Sequence, residues 1–289
     1  MNRGTACPYG ELHIYEISGR PPAFAEPQAE GFLGGWYEED ACFFFFSAPA
    51  ASEMAEFLSR HPGLRLRDSH RMAYADWQGG PPEPFRAGRF RFLPPWHEAE
   101  GAGPGEDPPL LLDPGLVFGN GRHPTTRDCL KALEAAARES PPGRVLDLGT
   151  GTGVLALAAA SLGGRVLAVD ANVLAARTAR RNVRLNGLEH RVLVVAGRAE
   201  DFAGTAADLA LANLNGGVLL GLLADSAWRR TPRWVLSGLL RGEVREVRRR
   251  LGLAGYLVEE AWVHEGLWHT LLARRAQERP LPEEAPCRS

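Results

Sequence analysis

The stretch RVLDLGTGTGVLALAAA, residues 144–160, decides how the rest of the chain is read. An apolar strand ends at Asp147, Gly149, Gly151 and Gly153 follow, and an apolar helix begins. Glycines let a backbone turn tightly and come close to a ligand. The next strand, RVLAVD (165–170), ends on Asp170, 21 residues after Gly149. An acid at that place can accept both hydroxyls of a ribose.

The same alternation runs outward in both directions. TTRDCLKALEAAARE (125–139) reads as the preceding helix, with Leu130, Leu133 and Ala137 at helical spacing. Downstream come a helix at 172–187, a strand at 191–197, a strand at 208–214, a helix at 216–228, a strand at 233–240 and a helix at 241–255. YLVEEAWVHEGLWHTLLARR (256–275) reads as a closing β-hairpin. Short apolar strands alternating with helices mean an α/β layer: a parallel sheet covered on both faces. A ligand then sits at the carboxyl ends of the strands, near the point where strand order reverses.

The N-terminal region is different. It reads as strand ELHIYEI (11–17), strand GGWYEEDACFFFF (34–46), helix AASEMAEFLSRH (50–61) and strand LRLRDS (64–69), a small α+β layer. SGRPPAFAEPQAEG (18–31) carries three prolines and leaves little room for a helix. GRFRFLPPW (88–96) holds a further strand, while 78–88 and 98–109, rich in Gly, Pro and acid, read as linkers. The expected division is a recognition domain at 1–75, a linker region at 76–109, the main domain at 110–275 and a disordered tail at 276–289.

Composition narrows the function classes. The chain of 289 residues is 45% hydrophobic and 24% charged, a soluble globular profile. No apolar run is long enough for a membrane helix, and ACFFFFS (41–47) reads as a buried strand. No secretory signal is apparent, so a cytoplasmic location is expected. A net charge of −2 gives no global field for nucleic acid. Basic residues are nearly all arginine, with Lys131 the only lysine, and Arg177, Arg180, Arg181 and Arg184 share one helix face expected to be solvated. Cys7, Cys42, Cys129 and Cys287 are scattered, so no metal site is expected and the thiols are expected to be reduced.

Two ligands compete for the glycine stretch. GTGVLA also fits the dinucleotide fingerprint, which keeps a nicotinamide-dependent oxidoreductase in view. Against it, Asp147 puts a carboxylate at the strand end, which would repel a pyrophosphate and welcome a cationic head. The full DxGxGxG spacing and the terminal hairpin resemble the class I S-adenosylmethionine-dependent methyltransferases, whose cofactor carries an ammonium and a sulfonium. That resemblance implies a Rossmann-like seven-stranded sheet. Glu200 or Asp201, in RAEDF (198–202), is then placed to face the adenine edge or simply to cap a turn. Asn213, in LANLNGG (211–217), stands where amino-group methyltransferases carry Asn or Asp, and an amide there can accept a hydrogen bond from an amine. A turn asparagine is the plain alternative.

LLDPGLVFGNGRHPTTRDCL (111–130) resembles the signature of the ribosomal protein L-eleven methyltransferases, and the likeness runs on through most of residues 75–275. The resemblance implies a segment that folds over the cofactor, with Phe118, Gly119 and Thr126 lining the pocket beside Asp147, Gly149, Gly151, Gly153, Asp170 and Asn213, the last also as the catalytic residue. Thr126 also sits where it could cap the following helix. His123, ahead of Pro124, is expected to order its loop rather than act as a base. The resemblance further implies a ferredoxin-like N-terminal domain that grips the ribosomal protein and moves on the 98–109 linker, methyl transfer to lysine and N-terminal amines, and a monomer without nucleic-acid contact. The chain departs from the family at Asn120, usually Thr, and at LNGGVL (214–219), usually close to ILAGPL. Three alternatives stay open beside the oxidoreductase: a methyltransferase of the same class acting on another protein, a cofactor-binding protein without transfer, and a nucleic-acid methyltransferase. NLNG lacks the Pro-Pro-aromatic platform that the last would use to stack a flipped base.

Overall fold

The computed structural model describes residues 7–97 and 107–276. The N-terminal sheet is built from β1 (Glu11–Ser18), β2 (Phe32–Tyr37), β3 (Ala41–Phe46) and β4 (Arg65–Ala73), with α1 (Ala51–Ser59) before β4. Its order is β2-β3-β1-β4, antiparallel throughout. This is the ferredoxin-like order, except that a 3-10 turn at Pro22–Phe24 stands where a helix would join β1 to β2. The strand expected over 34–46 is two strands. Three consecutive acids, Glu38 to Asp40, cannot lie between apolar layers, so the chain turns there, with the Glu38 amide donating to the Ala41 carbonyl at 2.8 Å.

Strand β3 explains its own phenylalanine run. Side chains alternate across a strand. Phe44 and Phe46 pack with Met54 and Phe57 of α1, whereas Phe45 joins a second cluster with Leu12, Ile14, Tyr74, Leu116, Val117, Leu174 and Ala175. The sheet therefore has two buried faces, one under α1 and one against the larger body.

A short helix α2 (Tyr74–Trp77) leads into a three-stranded ribbon of β5 (Phe85–Ala87), β6 (Phe90–Leu93) and β7 (Leu110–Leu111). Part of the expected linker at 78–88 is thus strand. Most of the second linker, 98–106, and all of the expected tail beyond Ala276 lie outside the described residues.

The larger body follows the expected alternation: α3 (Pro124–Glu139), β8 (Arg144–Leu148), α4 (Val154–Ser161), β9 (Arg165–Asp170), α5 (Val173–Leu185), β10 (Val192–Ala196), β11 (Leu209–Asn213), α6 (Gly216–Ala224), β12 (Arg233–Leu240), α7 (Arg241–Leu253), β13 (Tyr256–His264) and β14 (Trp268–Arg275). The sheet order is β10-β9-β8-β11-β12-β14-β13, parallel as far as β12, with β14 and β13 antiparallel. Helix α4 is apolar all round because every residue from Val154 to Ala160 is buried. Order reverses between β8 and β11, and that crevice is where a ligand belongs.

Residues 111–123 form a strap across the top of this body. Buried Asn182 of α5 holds it: its Oδ1 accepts from the Asp113 amide at 2.9 Å, and its Nδ2 donates to the carbonyls of Asp113 and Thr152, both at 2.8 Å. Asn186 pairs in the same way with both backbone groups of Leu111. Asp113 accepts from the Gly115 amide and the Tyr9 hydroxyl and lies 3.2 Å from the Arg181 guanidinium. The arginine face of α5 is exposed to solvent as expected, and three of its arginines also find partners at its edges. Arg177 pairs with Glu26, Arg181 with Asp113, and Arg180 donates to the Val194 carbonyl. Replacing Asn182 by Ala leaves three backbone groups without partners, at about 1–3 kcal/mol for a single buried group. Urea denaturation of Asn182→Ala is expected to show a loss of at least about 2 kcal/mol.

Candidate functional site

The glycine loop and the strap make one structure. Gly149 and Gly151 have φ of 72° and 56°, the left-handed region, which bends the chain out of β8. A Cβ on Gly151 would lie 2.6 Å from the Phe118 carbonyl oxygen, so only glycine lets the strap come down this far. The Thr152 amide donates to that carbonyl at 3.1 Å and the Thr152 hydroxyl to the Gly119 carbonyl at 2.8 Å. With its carbonyl fixed, Phe118 stands 81% exposed over the crevice.

Helix α2 braces the strap from the other side. The Tyr74 hydroxyl and Gln78 Nε2 donate to the Gly115 carbonyl at 2.7 and 2.9 Å, and Trp77 Nε1 donates to the Leu116 carbonyl at 3.1 Å. Asn120 Nδ2 donates to Gln78 Oε1 and to the Gln78 carbonyl, while its Oδ1 accepts from the Arg122 amide. The residue that departs from the family pattern thus latches the strap to α2.

Two connected clefts flank the loop. One, of about 410 Å³, is lined by Asp170, Ala171, Ala199, Glu200, Leu214 and Trp36, among others. Asp170 accepts from the Gly151 and Asn172 amides, both at 2.9 Å, and burial raises its pKa. Of the two acids considered at 200–201, Glu200 reaches this cleft and Asp201 does not. The other, of about 620 Å³, is lined by Thr126, Asn213, Asn215, His123, Trp77 and Trp268, with Phe118, Gly149 and Gly151 shared between the two. Among the described residues, no carboxylate lines this larger cleft.

Several expected site residues take other positions. Asp147 is 1% exposed and lines neither cleft. Its Oδ2 accepts from the Thr150 hydroxyl at 2.5 Å and the Ala156 amide at 3.1 Å, so it holds the loop from beneath, and Oδ1 has no partner. Gly153 also stays out of the clefts and abuts Ala179, where it lets α4 pack on α5. Thr126 faces the cleft from the first turn of α3 but does not cap it. The cap is His123, whose Nδ1 lies 2.7 Å from the Thr125 hydroxyl and faces the Thr125 amide at 3.4 Å. The His123 ring meets Trp268 edge-on at 4.8 Å, and burial together with His264 lowers its pKa. Asn215 caps α6 through the Val218 amide at 3.0 Å, which gives the altered LNGGVL segment a helix start. Trp36, Trp77 and Trp268 line the clefts without any local spacing that joins them to the glycine loop: Trp36 comes from β2 of the N-terminal sheet, Trp77 from α2, and Trp268 from β14, three strands from β8 in the main sheet.

The sequence model of the family described as ribosomal protein L11 methyltransferase (PrmA) matches residues 66–276, covering the strap, the hairpin and the lining of both clefts apart from Trp36. The chain belongs to that family. A ribosomal protein L11 methyltransferase of Pelotomaculum thermopropionicum is 42% identical over 195 residues, 66% of this chain and 62% of that protein. One from Geobacillus thermodenitrificans is 37% identical over 180 residues, 61% of this chain and 57% of that protein. The chain thus spans about six-tenths of these curated relatives, 57% and 62% of their lengths. A crystal structure of a ribosomal protein L11 methylase from Lactobacillus delbrueckii subsp. bulgaricus matches at 25% identity and a TM-score of 0.59, over 67% of this chain and 100% of that one. Among the described residues, no helix of this L11 methyltransferase family member is long and apolar enough to cross a membrane.

Asp147 gives the site a pH signature. Burial, opposed by its two hydrogen bonds, pushes its carboxyl up to about 7 from 3.8. Between those values the folded state holds a proton that the unfolded state has lost, so this group makes stability fall as pH rises from about 4 to about 7. An amide in place of this carboxyl would keep both accepted bonds without titrating. Denaturation of Asp147→Asn against the parent across that range is expected to show the variant gaining relative stability with pH, by up to about 1.4 kcal/mol per pH unit.

Proposed function

We propose that the chain is an S-adenosylmethionine-dependent protein methyltransferase that acts on lysine or N-terminal amines of ribosomal protein L11. The observation that carries this reading is Asn213 at the end of β11, facing a cleft with an amide and no carboxylate, next to a glycine loop and an acid-lined cleft. Family membership supports the class of reaction and the substrate.

The residues fit the cofactor. Asp147 lies beneath the loop and holds the glycine turn in shape through the Thr150 hydroxyl and the Ala156 amide, which keeps the backbone of Gly149 and Gly151 open to a ligand. Asp170 and Glu200 line the smaller cleft, where ribose hydroxyls and an adenine edge need acceptors. Gly149 and Gly151 leave bare backbone along the floor, while Phe118, Gly119 and Thr126 form the roof and far wall. S-adenosylmethionine supplies a methyl group on a sulfonium, whose leaving thioether is neutral and needs no acid.

The protein's part is to bind and orient. Asn213 Oδ1 accepts a hydrogen bond from the incoming amine and turns its lone pair toward the crevice. Trp77, Leu116, Phe118 and Trp268 give the cleft apolar walls, along which the stem of an incoming amine can lie. Without a carboxylate to stabilise an ammonium, the cleft favours the neutral amine, so the proton leaves to solvent before the amine enters. In this reading the N-terminal sheet grips the protein substrate, and the enzyme works as a cytoplasmic monomer. It does so without engaging nucleic acid.

The test is transfer from labelled S-adenosylmethionine to undermethylated ribosomal proteins, with the labelled residue located by mass spectrometry. Label on ribosomal protein L11, reduced about 100-fold in Asn213→Ala while cofactor affinity stays within a few-fold, is the expected outcome. Label on another protein moves the substrate and keeps the chemistry. Cofactor binding with no label anywhere overturns the transferase reading.

A further inference from the structure

Asn213 carries the proposed acceptor atom, but its amide makes no hydrogen bond among the described residues. Where that amide points is therefore decided by the backbone at 213–214 and by the space left beside it. Strand β12 sets both. Asn213 lies opposite Ser237 in the β11–β12 ladder, and the Leu214 amide donates to the Ser237 carbonyl at 3.1 Å.

Strand β12 is irregular at this place. Leu236 pairs with Leu271 of β14 and Leu239 with His269, so Ser237 and Gly238 stand opposite Thr270 alone. One extra residue on a strand is a β-bulge, a device that re-aims side chains beside it. Gly238 has a φ of 79°, in the left-handed region, and a Cβ there would run into the Leu214 carbonyl and come within 3.3 Å of Asn213 Oδ1. The bare α-carbon thus leaves open the space that Asn213 Oδ1 uses, on the wall of the larger cleft. Ser237 and Thr270 line neither cleft. Both are buried, and their hydroxyl oxygens lie 2.5 Å apart across the bulge. That bond fixes the register, because a slip would separate two buried polar groups.

We propose that the Ser237–Gly238 bulge, pinned by Thr270, aims the Asn213 amide, so that Ser237, Gly238 and Thr270 are positioning residues for methyl transfer. The inference rests on the transferase reading and on Asn213 as the residue that receives the amine. Gly238 acts by leaving space, and the Ser237–Thr270 pair acts by keeping Gly238 at that place. A reacting group displaced by about 1 Å loses on the order of 100-fold in rate. The effect falls on turnover more than on cofactor affinity, since Gly238 lines the larger cleft and not the smaller one with Asp170 and Glu200.

The experiment uses the full chain. It measures transfer from labelled S-adenosylmethionine to the purified ribosomal protein that the parent labels, titration of S-adenosylhomocysteine, and melting. Gly238→Ala is expected to lower kcat about 100-fold and Thr270→Val about tenfold, each with S-adenosylhomocysteine affinity within about threefold of the parent. Thr270→Ser, which keeps the hydroxyl, is expected to hold kcat within about threefold of the parent. Because the bulge acts through Asn213, Thr270→Val added to Asn213→Ala is expected to slow transfer no further than Asn213→Ala alone. A further loss in that double variant as large as Thr270→Val causes by itself, or parent kcat in Thr270→Val, overturns the proposal while the transferase reading stands. Equal losses in Thr270→Ser and Thr270→Val overturn it too, since they assign the residue to packing alone. No transfer by the parent to any ribosomal protein overturns that reading and this inference with it. Should Gly238→Ala lose its melting transition, the Thr270 series decides.

Discussion

The whole site depends on how closely one carbonyl approaches one α-carbon. The Phe118 oxygen occupies the space where any residue but glycine at 151 would carry its Cβ. That approach lets the Thr152 amide and hydroxyl take hold of the strap, and the strap in turn roofs the crevice. Buried backbone groups need partners, and here they find them in each other and in Asn182. Strap, loop and α5 therefore form one hydrogen-bonded unit, and a side chain anywhere along the contact would separate all three.

A second constraint acts on the same unit from outside. The strap's carbonyls at 115 and 116 are held by Tyr74, Trp77 and Gln78, which belong to the chain leaving the N-terminal sheet. The sheet's apolar underside rests on α5, the helix that carries Asn182 and Asn186. The parts of the molecule that differ most in composition thus converge on the roof of one cleft. Burial of Asp147 beneath the loop belongs to the same arrangement: one of its oxygens takes both the Thr150 hydroxyl and the Ala156 amide and so fixes the turn from below.

Most of the larger body was legible in the sequence because its signals are local. Apolar strands, glycine turns and amphipathic helices occur where periodicity puts them, and the position of Asp170 follows from a single βαβ unit. The terminal hairpin is equally local. What escaped was tertiary. A run such as FFFF reports burial without saying which neighbours cover each face, and the acidic turn at 38–40 was hidden inside an apolar stretch. Asp147 reads as a ligand carboxylate by spacing, but spacing does not say whether the side chain points into the crevice or beneath the loop. Trp36 and Trp77 reach the clefts only because the sheet docks, a fact with no short-range signature.

The strand order carries one more consequence, for synthesis rather than chemistry. Strand β14 lies between β12 and β13, so the edge of β12 stays unpaired until the hairpin has been made. Buried Leu271, Leu272 and Ala273 fill the sheet at that place. A chain emerging from the ribosome can build the strap, the glycine loop and the parallel strands, yet it keeps an open apolar edge to the end. Completion of this sheet is therefore a late, nearly all-or-none event, and chains that stop short of the hairpin present the kind of edge that draws other strands.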